Sequence, residues 1–145
     1  MALVGGAVMG ADVARVVAAL LPATDPERVT AALEAFDEAA VVQDHGGRFA
    51  FWNASAQRLP GSPGAGLPSR TWRDPRWRMV RPAGSALADQ EQPAMLARGT
   101  GQPMTDVAWG VYRPDRVLTW LRVDAVPVPA AGLGGTAVVS HLVGR

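Results

Sequence analysis

Three observations predict an α+β fold, an antiparallel sheet carrying helices on one face. Residues 40–61, AVVQDHGGRFAFWNASAQRLPG, read as a hairpin that runs directly into a capped helix. Two helical patterns precede this unit, and long alternating segments follow it. In the unit itself, Val41 and Val42 begin an apolar run and Asp44, His45, Gly46 and Gly47 supply turn chemistry. Asp and Gly give a tight hairpin its side-chain hydrogen bonds and its positive φ. Arg48 to Trp52 is then an aromatic strand. Asn53 opens a helix at Ala54, because an Asn oxygen accepts from free N–H groups of a first turn. A pocket can lie between the layers of such a unit.

The other elements follow in order. Residues 1–10 are Gly-rich and read as loose. Asp12 can cap a helix over Val13 to Leu21, with Val13, Val16, Val17, Leu20 and Leu21 on one apolar stripe and Pro22 as its stop. Thr24 to Glu27 (TDPE) has the form of a capping box, with Pro26 tolerated in the first turn. The next helix carries Val29, Ala32, Leu33 and Phe36 and ends near Glu38 or Ala39. Pro60 to Ser69 is too rich in Gly and Pro for helix or central strand. Arg70 to Arg81 mixes Arg with Trp72 and Trp77. Asp74 and Pro75 interrupt it, so it reads as a solvated strip with both Trp residues folded inward rather than as a nucleic-acid surface. Glu91 to Arg98 is a short helix with Met95 and Leu96 facing inward, ended by Gly99 and Gly101. Thr105 to Tyr112 alternates, placing Val107, Trp109 and Val111 on one face. Val117 to Val128 places Leu121, Val123 and Ala125 on one face and Trp120, Arg122 and Asp124 on the other. Thr136 to Leu142 is the last strand.

Composition narrows the function. A chain of 145 residues, 48% hydrophobic and 19% charged, is long enough to bury one core and too apolar for disorder. A net charge of +1 gives no field toward nucleic acid or an anionic membrane. The absence of cysteine removes disulfides, thiolate metal sites and thiol nucleophiles. The apolar N-terminus lacks the basic region of a secretory signal, and Asp12 and Arg15 interrupt it as a membrane span. A cytoplasmic location is the expectation.

The order Asp44, Gly47, Phe49, Asn53, Ala54, Ala56, Leu59, Gly61 resembles the opening of a PAS domain, the small sensory module of signalling proteins. Trp77 to Ser85 and Pro93 to Pro103 resemble its middle helices. Thr105 to Val128, with RPDR at the turn, resembles its last hairpin, and Thr136 to Leu142 its closing strand. The resemblance implies five antiparallel strands with helices on one face and leading helices on the outer face. It places an N-terminal extension at 1–28, the PAS-like domain at 29–142 and a tail at 143–145. It also implies a sensing or docking role, with a homodimer contact on Val13, Val16, Val17 and Leu20. The alternative is that the first helix only covers its own sheet. Three departures stand out: Arg116 replaces the usual turn Gly, residues 82–85 read PAGS rather than Pro-Asp-Gly-Ser, and no Asp-Ile-Thr segment follows the last strand. The last departure leaves two options, a piece of a longer protein with an output domain, or a standalone domain that signals by association with a partner signalling protein.

The chemistry-bearing residues support no catalytic site. His45 sits in the hairpin turn and His141 near the end of the last strand, with no helical metal-ligand spacing. Haem is not expected, because the helix that offers the iron ligand in haem-binding relatives has no His here. Covalent flavin chemistry is not expected without Cys. Asp124 is the least expected carboxylate, either a buried base or, preferably, the partner of a cross-strand Arg. Phe49, Phe51 and Asn53 share a strand face by parity. With Met95, Leu96, Met104 and Trp109 they are the candidate lining of a pocket for a small hydrophobic ligand. Asn53 is read first as a structural cap. The expected function is a non-catalytic sensory or association domain. An isomerase-like α+β enzyme using Asp124 and a ligand-free assembly module are the alternatives.

Overall fold

The computed structural model of the chain describes residues 3–4, 7–8, 11–20, 24–58, 78–82, 84–85, 92–112 and 118–144. Strands β1 (Leu3–Val4) and β2 (Ala7–Val8) pair as a small hairpin where the sequence suggested loose chain. Helices α1 (Ala11–Leu20) and α2 (Pro26–Glu34) follow, then strands β3 (Ala39–Gln43) and β4 (Phe49–Trp52) and helix α3 (Ala54–Arg58). The second half holds β5 (Arg78–Val80), α4 (Pro93–Thr100), β6 (Met104–Tyr112), β7 (Leu118–Ala130) and β8 (Gly135–Gly144).

The main sheet is antiparallel, in the order β4-β3-β8-β7-β6-β5. Five of its strands are those expected. The sixth, β5, lies where a helix was expected from Trp77 to Ser85: Arg78, Met79 and Val80 pair with Tyr112, Val111 and Gly110. A tight turn closed by the Gly84 N–H on the Arg81 carbonyl follows it. The final strand runs to Gly144, so residues 143 and 144 belong to the sheet rather than to a tail. The RPDR turn, the Pro60–Ser69 connection and Trp72 and Trp77 lie outside the described residues.

Helix boundaries move with their caps. Asp12 sits inside α1 instead of preceding it. At α2 the cap is Asp25, whose Oδ1 accepts from the Arg28 N–H at 3.2 Å, so the Thr24–Glu27 box is not the arrangement used. Pro26 takes the first helical position, where it has no N–H to lose. The helix stops at Glu34, earlier than the apolar spacing suggested.

Alternate residues of the sheet enter two different cores. On the outer face, Val16, Ala19 and Leu20 of α1 and Val29 and Leu33 of α2 pack on Ala40, Val42, Val126, Val128 and Val139. The inner face holds Ala39, Val41, Phe49, Trp109, Leu121, Val123 and Leu142, with Ala56 of α3 among them. Beside that cluster, Ala94, Met95 and Ala97 of α4 cover Ala125 and Val138. Pro127 and Pro129 fall beyond Ala125, the last β7 residue paired with β6, where a missing N–H costs no ladder bond on that side.

Candidate functional site

The site elements meet at Asn53. Its Oδ1 accepts from the Ala56 N–H at 2.9 Å, which caps α3, and from the Ala40 N–H at 3.1 Å. Its Nδ2 donates to the carbonyls of Leu33 and Glu38, each at 2.9 Å. The side chain is 1% exposed and fully committed to backbone. It ties the end of α2 and the start of β3 to the β4–α3 corner and offers nothing to a ligand.

The candidate pocket residues do not form one lining. Phe49 and Trp109 are buried together on the inner face. Phe51 packs instead against the outer core of α1 and α2. The reason is a β-bulge: Gln43 opposes Phe49 while Val42 opposes Phe51, leaving Ala50 as an extra residue in β4. One extra residue reverses the side-chain parity that follows it. Met95 is buried beneath α4 with Met104 packed beside it, whereas Leu96 is 38% exposed and faces away. The inward face of α4 is carried by Met95 together with Ala94 and Ala97, two small residues that a search for large apolar side chains passes over.

Of the four α1 residues read as a dimer contact, Val16, Val17 and Leu20 pack within the chain itself. Val16 and Leu20 are fully buried within the chain's own outer core, and Val17 packs against it. Nothing is described for the Val13 side chain. In this arrangement α1 covers its own sheet, the alternative reading of that stripe.

Three buried polar groups, two on the inner sheet face and one at the start of α4, were not legible as site residues. Gln43 is 1%, Gln92 2% and Ser140 3% exposed. Gln43 Oε1, Gln92 Nε2 and Ser140 Oγ have no hydrogen-bond partner. A buried polar atom left unpaired costs on the order of 1–3 kcal/mol. The signal available in sequence was parity alone: Gln43 and Ser140 alternate with residues that face outward.

Asp124 lies on the outer face. Its Oδ1 accepts from the Asp106 N–H at 2.6 Å and its Oδ2 lies 3.7 Å from His141 Nδ1. His141 Nε2 meets Glu38 Oε1 at 3.1 Å, and the ring leans on Phe36 with centroids 5.8 Å apart. Among the described residues Arg122 contacts Asp106 rather than Asp124, and Asp124 meets His141 in place of the expected cross-strand Arg. Asp106 itself has φ of 55° at a bulge opposite Asp124, a left-handed conformation that Asp tolerates. This row of polar side chains sits across the sheet from the inner core, away from any base role toward an inner-face ligand. At the end of the sheet, a cleft of about 300 Å³ is walled by Asp37, Glu38, Ser55 and Arg58 over Leu142 and Val143. None of the candidate pocket residues lines it. Among the described residues no cluster of metal-ligating side chains occurs, and no helix is long and apolar enough to cross a membrane.

The strand order and the two-faced packing decide the fold. Against solved structures, the chain matches the PAS domain of nitrogen regulation protein NR(II) from Vibrio parahaemolyticus with a TM-score of 0.57 and 13% identity, over 80% of this chain and 96% of that one. It has a PAS fold. The PAS domain of an HTR-like protein from Haloarcula marismortui matches with a TM-score of 0.54 at 12% identity, covering 83% of this chain and 91% of its own. A LOV protein of Rhodobacter sphaeroides matches with a TM-score of 0.55 at 13% identity, covering 81% and 66%. No family model matches the sequence, and a search of curated proteins gives no match.

Proposed function

We propose that this PAS-fold chain is a non-catalytic sensory module. A small molecule held on the inner face changes how the sheet packs against α1 and α2, and so changes association with a second copy or a partner signalling protein. The observation that supports this is the alternation along β8. Val138, Ser140 and Leu142 belong to the inner face, while Ala137 and Val139 belong to the core under α1 and α2. A shift of this strand moves both layers together. Packed layers of this kind respond as units rather than deforming continuously. Ligand affinity must differ between the two packings, because equal binding shifts nothing.

Native mass spectrometry of the purified chain, followed by hydrogen exchange with and without the molecule it carries, tests the proposal. The expected result is a bound small molecule whose removal accelerates exchange in α1 and α2. A bare chain with unchanged exchange in those helices under added metabolite extracts sinks it.

A second reading, a ligand-free association module, is favoured by one observation. Phe49 and Trp109, each 2% exposed, fill the central inner cluster with protein side chains. A bare chain that runs as a clean dimer supports this second reading.

A further inference from the structure

We infer that the cleft at the end of the sheet is a second, separate site that binds a free α-amino acid with an aliphatic side chain. The inference stands without a ligand on the inner face. The cleft volume of about 300 Å³ is at the small end of ligand sites and suits one small metabolite. The turn entering β3 supplies Asp37 and Glu38, α3 supplies Ser55 and Arg58, and the end of β8 supplies Leu142 and Val143. Ala39 and Leu142 pair across β3 and β8 and are buried in the inner cluster, so they close the cleft toward that core. Glu38 meets His141 on the outer face, and Val143 alternates onto the same face as His141. The cleft therefore wraps the end of the sheet, outside the space between its inner face and the helices.

The charges on its walls define the complement. Among the described residues, the Asp37 carboxylate and the Arg58 guanidinium have no ion-pair partner, and they do not pair with each other across the cleft. Two opposite charges held apart over an aliphatic floor call for a ligand that carries both charges and a short apolar body. A free α-amino acid has that form. Its ammonium meets Asp37, its carboxylate takes the Arg58 fork and the Ser55 hydroxyl, and its side chain covers Leu142 and Val143. Ser55 and Arg58 are three residues apart on α3 and so share one face. Glu38 holds His141 Nε2 on its Oε1 at 3.1 Å, which leaves its second oxygen for the ammonium. A simple anion would face Asp37 and Glu38, and a simple amine would face Arg58. A peptide end offers only one of the two charges. The walls are fixed before anything binds: Asn53 donates to the Glu38 carbonyl and accepts from the Ala56 N–H, each at 2.9 Å, and Glu34 Oε1 accepts from the Ala54 N–H at 2.9 Å. Such preorganisation lowers the ordering cost of binding.

The test titrates L-leucine into the 145-residue chain and follows backbone amides by NMR. The controls are 4-methylpentanoate, which is leucine without its ammonium, and 3-methylbutylamine, which is leucine without its carboxylate. Leucine is expected to shift the amides of Ser55, Val143 and Gly144 and to leave Ala125 and Val138 of the inner face unmoved. Each control is expected to bind about tenfold or more weakly, the scale of one lost hydrogen bond to a charged group. Asp37 and Arg58 are exposed, so Asp37→Asn and Arg58→Met are expected to keep the wild-type melting temperature while leucine affinity falls about tenfold. Should one variant unfold, the other variant and the two controls still decide. Controls that bind as tightly as leucine, or a folded variant with unchanged leucine affinity, overturn the inference. Leucine shifts confined to Ala125 and Val138 overturn it and support the inner-face reading instead. No shift with leucine in large excess overturns it and leaves the inner-face reading standing.

Discussion

At the scale of single residues, Asn53 carries more of the fold than any other polar side chain described. Its hydrogen bonds to Ala40, Ala56, Leu33 and Glu38 join three elements that are distant in sequence. Asn53→Ala removes a cap, takes the acceptor from the Ala40 N–H and the donor from the Glu38 carbonyl, and leaves the Leu33 carbonyl with the Phe36 N–H. The expected loss is about 3 kcal/mol in chemical denaturation, a cap plus the cost of unpaired groups. Asn53→Ser keeps an acceptor near the Ala56 N–H and is expected to lose less; equal, small losses for both variants would remove Asn53 from this role. The cap was legible because an Asn after an aromatic strand and before a small-residue helix has a local physical meaning. The reach to Leu33 and Glu38 was not, since it depends on where α2 ends. Asp124 shows the same boundary. Its strand position was readable, but its partners His141 and Asp106 are set by sheet register and by a bulge.

At the scale of elements, strand periodicity was readable wherever the ladder is regular and failed where it is interrupted. Val107, Trp109 and Val111 share the inner face as their alternation requires, being opposite Val123, Leu121 and Thr119. Phe51 left its expected face because Ala50 bulges. Leu96 left the core because Ala94, Met95 and Ala97 form the buried face of α4 and position 96 lies off it. The edge strand β5 was read as helix, since three residues are too few to show a period. Its packing gives a direct check at Gly110. A Cβ there would meet Val80 Cγ2 at 2.9 Å, Leu118 Cδ1 at 3.0 Å and Trp120 Cζ3 at 3.1 Å. Gly110→Ala is expected to cost about 1–3 kcal/mol, the usual scale of overpacking. Adding Val80→Ala is expected to recover part of that loss, and a strictly additive pair in a double-mutant cycle would place β5 elsewhere. Between hairpins, His45 makes a second link. Its N–H donates to the Leu133 carbonyl at 2.9 Å and its Nδ1 accepts from the Thr136 N–H at 3.1 Å. The Arg98 guanidinium of α4 donates to its carbonyl. His45→Leu is expected to cost about 1 kcal/mol and to speed amide exchange at Thr136 while leaving Leu133 pairing intact. Unchanged exchange at Thr136 would mean the imidazole does not hold that turn.

At the scale of the whole molecule, the question is whether α1 is an appendage or a layer. Leu20 is fully exposed to the outer core and not to solvent: it is 0% accessible and shares one cluster with Val29, Leu33, Val126 and Val139. The sequence drew a boundary at residue 28 because a PAS-like pattern starts there, and a family pattern says nothing of how much apolar sheet remains to be covered. The outer face of β3, β7 and β8 holds Ala40, Val42, Val126, Val128, Ala137 and Val139, too much apolar surface to leave to α2 alone. Burial on both sides of one sheet makes the two cores thermodynamically linked, since losing either exposes the same strands. Leu20→Ala is therefore expected to destabilise the entire domain by about 2–5 kcal/mol, the range for a buried leucine. The melting monitored at the Trp109 indole N–H, on the opposite face, should shift together with far-ultraviolet circular dichroism in a single transition. If α1 were a detachable extension, the helical signal would fall first and the Trp109 signal would keep the wild-type midpoint. A shared shift makes α1 a layer of the domain rather than an appendage to it.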